Sequence, residues 1–156
     1  MLYNYLLEIQ HKDHFSKFSQ NHSQVEIVLW CNSEYDIIEL RGENNAIERA
    51  LTDLEKEWGN VIQLFPEIGH VQLIFRFCGC TTSPLASIIS KYNCFELPPV
   101  KYRFGRMVIN LIVTAEDADR IIEEMKNEKP NMMVKMLQMS PLKNFFNPYP
   151  HYLPID

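Results

Sequence analysis

The side chains best suited to chemistry gather in the second half of the chain. Cys78 and Cys80 flank Gly79, and Cys94 lies fourteen residues beyond Cys80. Two thiolates one residue apart can chelate a thiophilic metal such as zinc, and a third from a nearby segment improves the site. His70 or Cys31 could complete four ligands if the fold brings either close. Strong zinc sequences carry two paired motifs, whereas this one has a pair and a singleton, so a metal or redox role for Cys78, Cys80 and Cys94 competes with ordinary buried thiols. Cys31 alternates with Val25, Ile27 and Leu29, which predicts a buried apolar role for it. The second cluster is Lys101-Tyr102-Arg103-Phe104-Gly105-Arg106, the most basic run in the chain. Aromatics interleaved with cations can grip an anionic ligand or stack on bases. Lys101, Tyr102, Arg103 and Arg106 are therefore the ligand-binding candidates, set against the plainer reading of a solvated hairpin approach.

Other chemistry finds little support. The chain has no Gly-rich phosphate loop and no nucleophile elbow, and His11 and His14 do not show metal-ligand spacing. Glu48, Asp53, Glu55, Glu123 and Glu124 fall on the polar faces of helices. No residue qualifies as catalytic, so the expectation is a protein that is not an enzyme. Met125, Met132, Met133, Met136 and Met139 cluster late and read chiefly as core packing. With 15 Lys and Arg against 20 Asp and Glu, the net charge of -5 gives no overall basic bias toward nucleic acid. No segment approaches the roughly 20 apolar residues of a membrane span. The opening Met1-Leu2-Tyr3-Asn4-Tyr5 lacks a basic and apolar leader, which predicts a cytoplasmic protein.

These candidates must be positioned by strands and helices that repeat in order. Leu2 to Gln10 alternates like a strand, and a short helix is expected around His14 to Gln20. Val25 to Cys31 and Tyr35 to Leu40 form a hairpin through Asn32-Ser33. Ile47, Ala50, Leu51, Leu54 and Trp58 mark one helical face, capped by Asn44 or Asn45 and stopped at Gly59. Val61 to Phe65 closes the unit, and Pro66 to Gly69 reads as a linker. The order then begins again: a strand from Val71, a helix opened by Ser83-Pro84, and a short strand from Cys94 to Leu97 stopped by Pro98-Pro99. A strand from Met107 to Val113 follows, then a helix capped by Thr114 and ended before Pro130, and a strand from Met132 to Met139.

Leu2 corresponds to Val71, Asn44 to Thr114 and Val61 to Met132, a displacement of about seventy residues. The pattern predicts an α+β protein of two tandem ferredoxin-like βαββαβ units, residues 1–66 and 70–140. Each would have an antiparallel sheet with helices on one face. The alternative is a single α+β domain whose element order happens to duplicate. Residues 141–156 form a proline- and aromatic-rich tail. Phe145, Phe146, Tyr149 and Tyr152 should dock it on its own domain, or make it an arm to a neighbouring subunit.

Cys78-Gly79-Cys80-Thr81-Thr82-Ser83-Pro84-Leu85, continuing to Cys94 and Leu97-Pro98-Pro99, resembles the N-terminal sensory region of archaeal bacterio-opsin activator-type helix-turn-helix regulators. Val108 to Val113 and Gln138-Met139-Ser140-Pro141-Leu142 resemble the same group. The resemblance covers chiefly residues 70 to 142. It implies a regulatory or sensory module that binds a small-molecule or metal effector, with a regulatory protein partner or a homodimer. The helix-turn-helix of that family has no counterpart here, since the prolines after Leu142 cannot form a two-helix reader. Direct DNA binding is therefore not expected from this chain alone. The rival readings are a thiol-based metal or redox protein and a single-stranded nucleic-acid binder.

Overall fold

The computed structural model describes residues 1–31, 35–58, 61–75, 84–128 and 132–142. Tyr5, Leu7 and Ile9 alternate inward along β1 (Leu2–His11). Asp13 then caps α1 (His14–Asn21), its carboxylate accepting from the Ser16 amide. Strands β2 (Val25–Cys31) and β3 (Asp36–Gly42) pair in register from Val25 opposite Gly42 to Cys31 opposite Asp36. Helix α2 (Asn44–Trp58) buries Ala46, Ile47, Ala50 and Leu54, the stripe that its spacing predicts. The remaining elements are β4 (Val61–Glu67), β5 (His70–Phe75), α3 (Pro84–Ile89), β6 (Phe95–Arg103), β7 (Arg106–Thr114), α4 (Ala115–Asn127) and β8 (Met132–Pro141). Thr114 caps α4 as its sequence position predicts, the hydroxyl accepting from the Asp117 amide at 3.2 Å.

Over the described residues the molecule is α+β: four helices and one antiparallel sheet of eight strands in the order β4-β5-β3-β2-β6-β7-β1-β8. The sheet is continuous, because β2 pairs with β6 at Ile27–Tyr102, Val28–Lys101 and Leu29–Val100. The strands do not sort by halves of the chain. β1 lies between β7 and β8, and β5 lies between β3 and β4. Counted from either edge inward, β4 and β8, β5 and β1, β3 and β7, and β2 and β6 occupy equivalent places. The leading strand of each half of the chain is lodged in the other half of the sheet.

All four helices contribute to one core on one face of the sheet. The cluster runs without a break through Leu40, Leu54 and Leu73 at one side and Ile9, Ile109, Ile121 and Met125 at the other. Alternation along the strands sends Glu8, Glu26, Lys101 and Val108 to the helix-free face, since Glu8 and Lys101 both pair with Val108.

Several local expectations change. Pro66 and Glu67 belong to β4, and Gly69 (φ +78°) turns directly into β5, so residues 66–69 are a tight hairpin where the sequence reads as a linker. Asn44 sits inside the first turn of α2, and its side chain accepts from the Gly69 amide at 3.2 Å, holding that hairpin instead of capping the helix. Pro98 and Pro99, joined by a cis peptide, do not end β6. The pairing with β7 shifts register between Leu97 and Lys101, which spares them from donating to the ladder. Of the late methionines, Met125 and Met132 are core residues, but Met133, Met136 and Met139 are exposed along the edge strand β8. Asn32-Ser33, Gly59, Cys78, Cys80, Ser83, Pro130 and the aromatic tail from residue 143 onward lie outside the described residues.

Candidate ligand-binding site

The basic run forms the hairpin between β6 and β7. Arg103 pairs with Arg106 across a two-residue turn in which Phe104 and Gly105 both take positive φ, 53° and 74°. Such a turn matches the twist of its strands but favours glycine, and Gly105 supplies it. The turn is anchored from α1. Ser19 Oγ accepts from the Gly105 amide at 3.0 Å and donates to the Ser16 carbonyl at 2.9 Å. The Arg103 guanidinium lies over the Phe104 ring, 4.9 Å from its centroid.

Strand alternation divides the four candidate residues. Lys101, Arg103 and Arg106 share the helix-free face, where with Glu8, Glu26, Phe104 and Val108 they line a hollow of about 420 Å³. Tyr102 points the opposite way into the core, 4% exposed and tilted against Phe15 with ring centroids 5.4 Å apart. Burial and the neighbouring Asp13 carboxylate, which its hydroxyl reaches, hold its phenol protonated well above the usual range. It therefore braces the hairpin from behind and leaves Phe104, 57% exposed, as the aromatic that a ligand on the basic face could meet.

The charges on that face are unevenly matched. Arg106 Nη1 meets Glu8 Oε1 at 3.2 Å. Glu26 is engaged by Arg41 at 3.6 Å, and Arg41 also forks onto Glu39 at 2.8 and 3.1 Å. The Glu39 hydrogen bonds lift the already high Arg41 value further. Among the described residues, no carboxylate lies within ion-pair reach of Lys101 or Arg103. Two cations on a half-enclosed surface are thus left for an external anion. Glu8 and Glu26 escape sequence reasoning as site residues. Their polar parity is legible along each strand, but the partners that bring β1 and β2 beside this hairpin are not.

Of the four cysteines, only Cys31 and Cys94 are among the described residues. Cys94 is half-buried, its thiol 3.5 Å from the Ile89 carbonyl. Burial, then Glu96 and Asp117, push its pKa up, opposite to the thiolate needed for metal binding or nucleophilic attack. Cys31 is exposed at the end of β2, which corrects the buried role expected from its parity. Cys31 pairs with Asp36 and His70 with Arg41, at opposite ends of β3. The two stand roughly 17 Å apart along the strand direction at about 3.4 Å per residue, so they cannot share one metal. Among the described residues no three His, Cys, Asp or Glu side chains are grouped to hold an ion. None of the helices, over the same residues, is long and apolar enough to cross a membrane.

No curated protein matches the chain. A family model described as HVO_A0563, N-terminal, matches residues 5–139, from within β1 to within β8 and so across both halves of the sheet.

Proposed function

The chain belongs to the HVO_A0563 N-terminal family, and from that premise we propose that it is a regulatory or sensory module that binds a small anionic effector on the basic face of the β6–β7 hairpin. The observation that carries this reading is the pair of cations without carboxylate partners, Lys101 and Arg103, beside the exposed Phe104 ring and an open hollow. Such a surface suits an effector with a negative group and a flat ring, since the cations would hold the charge and Phe104 would stack. The resemblance to bacterio-opsin activator-type regulators supports a sensory role. It also supports work in concert with a regulatory partner, a second copy or a separate DNA-reading domain. On this reading the sheet descends from two ferredoxin-like units that have exchanged their first strands, a relation favoured by the equivalent places of β1 and β5.

Titration of the protein with nucleoside monophosphates, followed by amide chemical shifts, tests the proposal. The expected result is saturable movement of residues 101–108, lost in a Lys101→Ala/Arg103→Ala variant. Failure to saturate at millimolar ligand would overturn it. So would tight, salt-sensitive binding of single-stranded oligonucleotides in preference to mononucleotides, which would favour the nucleic-acid reading.

A further inference from the structure

Six consecutive strands, β5-β3-β2-β6-β7-β1, each turn an apolar side chain to the helix-free face of the sheet. These are Ile74, Ile37, Trp30, Leu97, Ile112 and Leu6. Alternation puts them there, because neighbours along the strands such as Leu73, Ile38 and Leu7 belong to the helix-side core. Strand pairing makes the band continuous. Ile74 lies opposite Ile37 and Ile37 opposite Trp30, while Leu97 and Leu6 flank Asn110. The charged residues of this face, Glu8, Glu26, Arg103 and Arg106, lie at its other end, by the β6–β7 turn. A sheet face left to water is normally polar, so an apolar band across six strands calls for a cover.

Two further observations point to a cover from the chain itself. Ile112 is 3% exposed, although it stands outside the helix-side cluster and no helix of the described residues lies over it. That burial is present in the single chain and needs no partner subunit. Asn4, opposite Ile112, and Asn110 hold side-chain oxygens that are buried and have no hydrogen-bond partner among the described residues. Buried amide oxygens are nearly always satisfied, so both call for donors from above the sheet.

Residues 143–156 fit that place. The Leu142 amide donates to the Leu2 carbonyl at 3.0 Å, so the tail sets out beside the first residues of β1, next to Asn4 and Ile112. Its fourteen residues reach about 40 Å in extended geometry at about 3.1 Å each. The five strand spacings from β1 to β5 amount to about 24 Å. Phe145, Phe146, Tyr149 and Tyr152 bring rings to an apolar surface, and no Asp, Glu, Lys or Arg stands between Asn144 and Ile155. Pro148, Pro150 and Pro154 exclude a helix, which leaves backbone amides free to donate.

We propose that residues 144–155 lie extended across the helix-free face of their own chain. Their rings rest on the six-strand apolar band, and their backbone N–H groups donate to Oδ1 of Asn4 and Asn110. The inference does not depend on the effector site, which occupies the charged end of the same face.

The test is nuclear magnetic resonance of the full chain with labelled methyl groups and aromatic rings. The expected result is nuclear Overhauser contacts from the tail rings to the methyls of Leu6, Ile37 and Ile112. These should persist when labelled chain is diluted into excess unlabelled chain. Phe145→Ala/Tyr149→Ala should shift those methyls and leave Leu54 and Ile121, on the helix side, in place, which separates release of the tail from unfolding. Ile37→Asp, at a position 41% exposed, should release the tail from the other partner and speed exchange of its amides by about tenfold or more. The proposal is overturned if the rings contact another surface or none, or if neither variant has its effect. Loss of the contacts on dilution into unlabelled chain would overturn it too, since the tail would then be an arm to a second copy.

Discussion

Asp13 shows how much one side chain settles in this molecule. It closes the first turn of α1, accepts from His11 and receives the Tyr102 hydroxyl from the back of the basic hairpin. Burial pushes its carboxyl pKa up, but the His11 hydrogen bond and charge, with the Ser16 amide, outweigh that and leave it below its ordinary 3.8. A depressed carboxylate contributes stability that is complete above the unfolded value and lost as pH falls through the folded one. Asp13→Asn keeps a capping oxygen but removes the charge. Its destabilisation in urea should be clear at pH 7 and should shrink as the pH is lowered below 3.8; an equal effect at both ends would exclude the ionic role. At this scale the sequence was partly legible. The alternation of Lys101, Tyr102 and Arg103 shows that Tyr102 must face away from its neighbours, yet nothing near position 102 announces an aspartate from position 13 behind it.

Elements were legible where their ends carry their own chemistry. Thr114 accepts from the Asp117 amide, with Glu116 and Asp117 in the first turn of α4 favourable to its dipole. Thr114→Ala should cost about 1 kcal/mol in chemical denaturation, and Thr114→Ser should restore most of it. Elements were misread where a distant strand decides the outcome. Pro98-Pro99 looks terminal in isolation, but β6 passes through them because β7 shifts register there and β2 pairs only at Val100 to Tyr102. Residues 66–69 look like a linker because Pro66 and Gly69 are turn formers. They tighten into a hairpin because β5 lies beside β4 and Asn44 holds the Gly69 amide.

Across the whole molecule the element order was visible and the sheet order was not. A βαββαβ sequence reads the same whether its first strand joins its own half or the other, since alternation fixes only which face a residue takes. In the structure Tyr5, Leu7 and Ile9 of β1 pack in register with Leu111, Ile109 and Met107 of β7, and Val71 and Leu73 of β5 lie against Leu40 and Ile38 of β3. Each half of the core thus needs apolar side chains from the other half of the chain. Unfolding should be a single transition, coincident by far-UV circular dichroism and by tryptophan fluorescence. Fragments 1–69 and 70–142 should be unfolded when expressed separately and should gain sheet structure on mixing. Independent folding of either fragment, or two resolved transitions, would contradict that coupling. The strand order also sets a timetable for synthesis. Leu2 pairs with Thr114 and Tyr3 with Pro141, so β1 stays without a sheet neighbour until β7 has emerged, and without its second until β8 has. Through that interval its apolar side and both backbone edges are open to the wrong partner, which makes the newborn chain a natural client for chaperones.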